Sequence, residues 1–256
     1  MLENDLRLLL EAADSAGQIA RKFFKKNPKV WYKDLDQGPV TEADIKINDM
    51  LIKKLQSARP DYGWLSEETE DDQGRLSKDY VFIIDPIDGT RSFIAGHENY
   101  ACALGISFKG RMQTAVVQMP SLNKTFWANV GQGAYEDGKK ISVSTQMDVN
   151  QSSLLTAKPN LDLSLWPGGV PPVKQAYRSS LAYRLCLAAN GSFDAMVTLR
   201  DCWEWDIAAG DLIVREAGGT VTDRLGDDLH FNNPTPKRPG VLAGSSSIHS
   251  NLLSRL

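Results

Sequence analysis

Residues 81–90 read VFIIDPIDGT, an apolar run followed at once by two aspartates, a proline and a glycine. The apolar run predicts a buried strand, and the proline and glycine predict a turn after it. A turn needs neither Asp85 nor Asp88. Asp85 would lie where the strand leaves the apolar core, and a carboxylate is costly there unless it is paired or bound to a metal. The stretch therefore indicates a binding site in addition to a turn.

The two acids suit a hard cation. Both carboxylates could converge on one ion, and Mg²⁺ binds a few carboxylates, with water and substrate phosphate completing its shell. Gly89 would let the backbone approach a ligand, and the amides of Gly89 and Thr90 would point at an anion. A calcium EF-hand does not fit, because its third position would be Ile87 and its glycine position would be Thr90.

Three further stretches place acids where an element begins or stops: GPVTEAD at 38–44, WLSEET at 64–69 and WEWD at 203–206. Each has a simpler explanation when taken alone. Asp44 stands near the position of the reciprocal acid in a capping box with Thr41. Glu67 lies in a polar, solvated loop, and Asp206 precedes a helical run as an N-cap.

The rest of the chain falls into blocks of helices and blocks of strands. Apolar spacing predicts helices over 6–24 and, after an N-cap at Thr41, over 45–55. Short strands separated by turns follow from residue 80, with helices again over 181–189 and 206–217 and a last strand at 240–244. Blocks of this kind predict a layered α+β fold. We predict an N-terminal half over 1–145 that carries most metal ligands, and a C-terminal half over 146–256 that carries Asp206 and substrate contacts.

Composition excludes several classes of protein. The chain has 256 residues, 42 % of them hydrophobic, with a formal net charge of −3. This balance argues against a nucleic-acid polymer as partner and against a membrane-surface protein. No apolar run approaches the roughly 18 residues of a membrane span, and the first residues lack the pattern of a signal peptide. Three widely spaced cysteines are typical of reduced thiols, so we expect a cytoplasmic protein.

The four acidic stretches, in this order, resemble the inositol monophosphatase superfamily of magnesium-dependent, lithium-sensitive phosphatases. The last of them continues as WEWDIAAGDLIVREAGG, and the match spans nearly the whole chain. The resemblance implies a layered α/β/α/β/α sandwich of the inositol monophosphatase/fructose-1,6-bisphosphatase type. It also implies hydrolysis of a phosphoric monoester with two or three Mg²⁺ per site. Family members are often dimers, so it implies a homodimer as well.

The resemblance carries roles over to matching residues. Glu67, Asp85, Asp88 and Asp206 would bind metal through carboxylates, and Ile87 through its carbonyl. Asp44 and Thr90 would form the hydrogen-bonded pair that orients the attacking water, with Glu67 as the third catalytic residue. The substrate would contact Asp88, Gly89, Thr90, Arg91, Arg184, Arg200 and Asp206.

The style of the motifs is closer to the CysQ-like 3′(2′),5′-bisphosphate nucleotidases than to the inositol branch. Arg91 follows DGT where inositol enzymes usually carry a neutral residue, and Arg184 falls where nucleotidases tend to carry lysine. With Arg200, these cations suit a second phosphate, since the arginine fork binds phosphate well. We therefore predict adenosine 3′,5′-bisphosphate as the substrate, although SSLAYRLC at 179–186 departs from the nucleotidase pattern.

Three alternatives stay open. The three arginines are equally explained as surface or ion-paired residues. The substrate is alternatively inositol 1-phosphate or another small sugar phosphate. Some members of the superfamily act as partners in transcription or translation complexes, so a non-catalytic binding protein with this fold is an alternative of another class.

Overall fold

The computed structural model describes residues 2–32 and 38–256, so Met1 and residues 33–37 of the predicted N-terminal half lie outside the described residues. The helices of the described residues are α1 (Leu2–Phe23), α2 (Glu42–Ala58), α3 (Thr90–Ile94), α4 (Leu181–Ala189), α5 (Glu204–Glu216) and α6 (Ser246–Leu253). None of them is both long enough and apolar enough to cross a membrane.

The strands are short and numerous. They are β1 (Val30–Tyr32), β2 (Pro39–Thr41), β3 (Gly63–Ser66), β4 (Tyr80–Asp88), β5 (Ala101–Phe108), β6 (Arg111–Met119), β7 (Lys124–Asn129), β8 (Gly133–Glu136), β9 (Lys139–Ile141), β10 (Ser153–Leu155), β11 (Lys174–Ala176), β12 (Ala195–Thr198), β13 (Cys202–Trp203), β14 (Thr220–Thr222), β15 (Lys237–Arg238) and β16 (Val241–Gly244).

Two sheets and three helical layers form an α/β/α/β/α sandwich. A seven-stranded sheet runs in the order β3-β4-β5-β6-β7-β8-β9, and a five-stranded sheet runs β11-β10-β12-β16-β14. Helices α1 and α2 cover one face of the larger sheet, α4 and α5 pack between the two sheets, and α6 contacts β14 and β16 of the smaller one. The predicted α+β class and layering are confirmed.

Strand β4 shows how the sequence specifies two cores. Side chains alternate across a sheet, so Phe82 and Ile84 join α1 and α2 in one core, while Val81 and Ile83 join α4 and α5 in the other. The second core contains residues from both sides of position 145. The division of the chain at that position stays a prediction.

The DPID stretch is a bulged strand, whereas the sequence predicted a turn. Strand β4 continues to Asp88, and the register shifts because Asp85 lies opposite Ala103 while Asp88 lies opposite Ala101. Pro86 has no N–H to donate to the ladder, which explains an extra residue at this point. The chain turns one residue later, at Gly89, whose φ of +96° is the left-handed conformation that glycine adopts without strain.

Candidate active site

Three carboxylates converge at one end of β4. Asp85 and Asp88 lie on the bulged end of that strand, and Asp206 lies in the first turn of α5, which packs against β4. One oxygen from each can be chosen so that all three lie within 4.8 Å of one another. Asp85 and Asp88 are buried and Asp206 is partly buried. Tertiary packing therefore brings together acids that are distant in sequence.

Asp85 has no hydrogen-bond partner among the described residues. Both of its carboxylate oxygens are buried, and neither accepts a hydrogen bond from a described residue. Burial, together with the nearby carboxylates of Glu67, Asp88 and Asp206, raises the pKa of Asp85 well above its ordinary value. Burial and the neighbouring Asp88 and Glu67 raise the pKa of Asp206 in the same direction. A buried carboxylate without a partner is costly, and oxygen ligands suit Mg²⁺, so these residues fit a hard divalent cation.

Asp88 is held by the start of α4. Its Oδ2 accepts hydrogen bonds from Ser180 Oγ at 2.6 Å and from the amide of Ala182 at 2.7 Å. Burial raises the pKa of Asp88, while these two hydrogen bonds and the guanidinium of Arg184 oppose that rise. Oδ1 accepts no hydrogen bond from the described part of the chain and is available to a metal.

Ser180 is a residue that the sequence reasoning missed as functional. It is the N-cap of α4, and its hydroxyl oxygen accepts from the amide of Tyr183 at 2.9 Å while its proton goes to Asp88. A serine before the apolar run of α4 was a readable capping signal. Its second contact, across the molecule, was not readable from the chain.

Glu67 reaches the site through strand pairing. Strands β3 and β4 are parallel, so the loop after β3 lies at the same end of the sheet as Asp85. The amide of Glu67 donates to the carbonyl of Ile84 at 3.2 Å, and the Glu67 side chain lines the same cleft as the other acids. Ile87 also lines the cleft, and its carbonyl accepts from the Thr90 hydroxyl at 3.0 Å.

Asp44 is both a helix cap and the neighbour of Thr90. Its Oδ2 accepts from the amide of Thr41 at 2.9 Å and from the Thr41 hydroxyl, which completes the capping box of α2. Its Oδ1 lies 3.3 Å from Thr90 Oγ1. Burial raises the pKa of Asp44 to about 7, and the carboxylate of Glu68 adds to this against the hydrogen bonds from Thr41. The capping explanation is thus correct and compatible with the predicted pair.

The three arginines take two different positions. Arg91 and Arg200 are exposed and line the cleft, and neither side chain makes a hydrogen bond or ion pair with another described residue. The charge of Arg200 nevertheless lowers the pKa of Asp88 and Asp206. Arg184 is only 3 % exposed. Its Nε donates to the carbonyl of Arg178 and its Nη2 to that of Ser179 at 3.3 Å. Arg184 therefore lies behind the wall of the cleft, and its position does not support the predicted direct contact with substrate.

The cleft has a volume of about 240 Å³ and opens beside a larger cavity of about 510 Å³. Residues Glu67 and Trp203 line both. Gly38 and Pro39 form part of the cleft wall beside Arg91. A cleft of this size suits a phosphate group and its immediate substituents, with the remainder of a larger substrate lying along the rim.

Comparison with known proteins identifies the family. A model of the inositol monophosphatase family matches residues 1–256. The chain belongs to this family. It is 34 % identical over 221 residues to a putative Nus factor SuhB of Neisseria meningitidis serogroup B, covering 82 % of this chain and 84 % of that one. It is 31 % identical over 239 residues to inositol monophosphatase 3 of Solanum lycopersicum, covering 89 % of each.

Solved structures agree. The chain superposes on the Thermotoga maritima IMPase with a TM-score of 0.84 at 27 % identity, covering 99 % of this chain and 96 % of that one. Inositol monophosphatase family proteins are phosphatases that depend on a metal, typically Mg²⁺. The predicted superfamily and enzyme class are confirmed. The roles of individual site residues and the identity of the substrate stay predictions.

Proposed function

We propose that this protein is a Mg²⁺-dependent phosphomonoesterase that removes the 3′-phosphate from adenosine 3′,5′-bisphosphate. The observation that carries the phosphatase activity is the group formed by Asp85, Asp88 and Asp206, in which both oxygens of Asp85 are buried and accept no hydrogen bond from the part of the chain that the structure describes. Glu67 and the carbonyl of Ile87, which line the same cleft, complete the proposed set of metal ligands. Two or three cations per site are part of the proposal.

The bound Mg²⁺ would offset the negative charge of the phosphate ester and lower the pKa of bound water. The protein's own residues orient the reactants. The Thr90 hydroxyl carries one proton and has two acceptors within reach, the carbonyl of Ile87 and Oδ1 of Asp44. When the proton points to Asp44, the Thr90 oxygen accepts a hydrogen bond from the attacking water. Thr41 holds Asp44 in place through its amide and hydroxyl.

The arginines at the mouth support a substrate with a second phosphate. Neither the Arg91 nor the Arg200 guanidinium donates a hydrogen bond to another described residue or lies within ion-pair distance of one, although the charge of Arg200 lowers the pKa of Asp88 and Asp206 from a longer distance. A guanidinium binds phosphate through parallel N–H groups, so the two side chains suit the 5′-phosphate when the 3′-phosphate lies at the acids. Inositol 1-phosphate has only one phosphate and offers no second phosphate for these guanidinium groups to bind.

A substrate panel tests this assignment. Purified protein is supplied with Mg²⁺ and with adenosine 3′,5′-bisphosphate, inositol 1-phosphate or a sugar bisphosphate, and phosphate release is measured. We expect EDTA to abolish activity, Mg²⁺ to restore it, and Li⁺ to inhibit it. Arg91→Gln and Arg200→Gln should raise the KM for the bisphosphate more than that for inositol 1-phosphate. A large preference of the wild-type protein for inositol 1-phosphate would overturn the nucleotide assignment.

A single variant tests the site itself. Asp88→Asn should lower turnover by about two orders of magnitude or more, because the amide oxygen is a weaker ligand and carries no charge. The far-ultraviolet circular dichroism should stay unchanged, since Asn is isosteric with Asp. Near-normal turnover of this variant would contradict the role of Asp88 as a ligand.

The relative from N. meningitidis favours a second candidate function. It is named a putative Nus factor, so we also propose that this chain binds a protein partner without catalysis. Absence of turnover across the whole panel with Mg²⁺, together with a stable partner in a pull-down, would favour this function. Measured turnover with Asp88-dependent kinetics would favour the enzyme.

Sedimentation analysis of the purified chain tests the proposed homodimer.

A further inference from the structure

An exposed aromatic ring stands on the rim of the cleft. Tyr177 follows β11, is 52 % exposed, and lines the cleft together with Ser179, Leu181 and Arg200. Trp203 also lines the cleft, but its ring stacks on Trp205 with centroids 4.7 Å apart and has Nζ of Lys237 at 4.1 Å. Tyr177 is therefore a second aromatic surface in the cleft that Arg200 also lines. The proposed reaction at the three acids does not use it.

One face of this ring is covered from within the protein. The guanidinium carbon of Arg184 lies 4.6 Å from the centroid of the Tyr177 ring. Because Arg184 is almost fully buried, the exposed part of Tyr177 is the opposite face and the ring edge. The ring thus presents one flat surface to the cleft and is supported on the other.

The same arginine fixes the loop that carries the ring. Its Nε and Nη2 donate to the carbonyls of Arg178 and Ser179, the two residues that follow Tyr177. The next residue, Ser180, caps α4 and donates to Asp88 at 2.6 Å. The loop over 177–180 therefore connects the ring to the proposed metal ligand Asp88, and hydrogen bonds hold three of its four residues in place.

Burying a guanidinium costs free energy, so the contacts that Arg184 makes in the folded protein must offset that cost. Arg184 has no carboxylate within ion-pair distance among the described residues. Its guanidinium contacts two carbonyls and one ring, and its charge also lowers the pKa of the more distant Asp88. Burial lowers the pKa of Arg184, which is the expected sign of that cost. Interactions of a cation with an aromatic face are strongest where water is excluded.

We propose that Tyr177 is the surface on which a flat ring of the substrate's leaving group stacks, and that Arg184 is the positioning residue that holds this surface. The proposal rests on the proposed function and deepens it, because it assigns a purine-like ring, and not a polyol, to the leaving group. A purine has a π-face that stacks on an aromatic side chain, whereas inositol has none. Arg200, which lines the same cleft, would contact the adjoining phosphate.

Kinetics with two substrates test the role of Tyr177. Adenosine 3′,5′-bisphosphate carries the ring, and glycerol 2-phosphate does not. We expect Tyr177→Ala to lower the ratio of kcat/KM for the nucleotide to that for glycerol 2-phosphate by about tenfold, mainly through KM. Tyr177→Phe retains the flat face and should change this ratio by less than about twofold. An equal effect of Tyr177→Ala on both substrates, or no effect, would overturn the proposal.

Direct binding separates this proposal from the phosphatase assignment. Adenosine 5′-phosphate lacks the 3′-phosphate that is proposed to be cleaved. Calorimetry with this ligand therefore measures an affinity that includes the stacking contact, and no turnover takes place. Weaker binding by about tenfold in Tyr177→Ala supports the ring contact even if the wild-type protein hydrolyses nothing. Unchanged binding in Tyr177→Ala rejects the ring contact even if the wild-type protein is an active phosphatase.

A double-mutant cycle tests Arg184 as a positioning residue. Arg184→Met retains much of the side-chain volume but loses the charge and the hydrogen bonds to the loop. If Arg184 acts through Tyr177, Arg184→Met should weaken binding of adenosine 5′-phosphate in the wild type and have little further effect in Tyr177→Ala. Additive effects of the two substitutions would overturn the positioning role. Thermal unfolding of each variant shows that the folded protein is being compared.

Discussion

Replacing Asp85 by Asn should stabilise the protein when no divalent cation is present. Asp85, Asp88 and Asp206 offer oxygens within 4.8 Å of one another, and both oxygens of Asp85 are buried without a partner among the described residues. At that separation, with an effective dielectric constant of about 20, two carboxylates repel each other by about 3.5 kcal/mol. Burial and the neighbouring carboxylates raise the pKa of Asp85, which disfavours ionisation of all three acids together, so we count one such pair.

The amide of the variant has its own cost. A buried amide that lacks partners costs about 1–2 kcal/mol, which leaves a net gain of about 2 kcal/mol in the free energy of unfolding. For a chain of this size, that gain corresponds to a rise in Tm of about 4–8 °C. The gain should be measured in EDTA and should grow as pH rises, because wild-type acids with raised pKa lose their protons and repel one another only towards higher pH.

Thermal unfolding by scanning calorimetry measures the effect. Addition of Mg²⁺ at about 100 times its Kd stabilises wild-type protein by about 2.7 kcal/mol, and the Asp85→Asn variant should gain far less. Addition of Mg²⁺ should therefore reduce the difference in the free energy of unfolding between the variant and the wild type, or reverse its sign. Asp49→Asn is the matched control, because Asp49 is an exposed acid on α2 outside the site, and it should change neither value. A variant that is less stable than wild type in EDTA, or that gains as much from Mg²⁺, would refute this reasoning.

Three further predictions follow from single side chains. Asp44 has a pKa of about 7 in the folded chain against an ordinary value of 3.8. Without a cation, the Tm of the protein should therefore fall progressively as pH rises from about 4 to 7 and Asp44 ionises. Asp44→Asn should flatten this decline in Tm. Ser180→Ala removes the cap of α4 and a hydrogen bond to Asp88, and should lower the free energy of unfolding by about 1–2 kcal/mol and weaken Mg²⁺ binding in calorimetry. Gly89→Ala forces a side chain to adopt φ +96° and should cost about 1–3 kcal/mol in urea unfolding, with loss of phosphatase activity.

Matched controls sharpen these three experiments. Asp14→Asn changes an exposed acid and should leave the pH dependence of Tm as it is in the wild type. Ser245 starts α6 without a capping hydrogen bond, and its hydroxyl donates one 3.3 Å hydrogen bond to the carbonyl of Gln146, so Ser245→Ala should be milder than the change at Ser180. Gly131 has φ +74° and open space where a Cβ would lie, whereas a Cβ on Gly89 would lie 3.2 Å from the carbonyl oxygen of Asn99. Gly131→Ala should therefore cost less than Gly89→Ala, and the reverse order would contradict the steric argument.

Much of the fold was predictable because its signals are local. Apolar spacing placed α1 and α2, and the cap at Thr41 is where the sequence predicted it. The two ends of β4 show the limit of local signals. The run 81–84 is a buried strand as predicted, but the pairing with β5 extends the strand through Pro86 as a bulge, and that pairing depends on a partner elsewhere in the chain.

The candidate site divides in the same way. The acids of DPIDGT and WEWD could be recognised as candidate site residues from the sequence, because burying a carboxylate costs free energy wherever it occurs in a core. The three arginines could not be sorted in this way, because an arginine side chain is found equally on the surface, packed behind a cleft, or in contact with a ligand. Only the packing of the loop over 177–180 separates Arg184, buried behind Tyr177, from Arg91 and Arg200, which face the cleft.

The sequence by itself determined the family, the layered fold class and the acidic residues of the site, because each depends on residue type and order along the chain. The tertiary structure alone decided which acids meet, that Asp85 accepts no hydrogen bond within residues 2–32 and 38–256, and that Ser180 holds Asp88. Those outcomes depend on distances between residues far apart in sequence, and such distances are set by the packing of α4 and α5 between the two sheets.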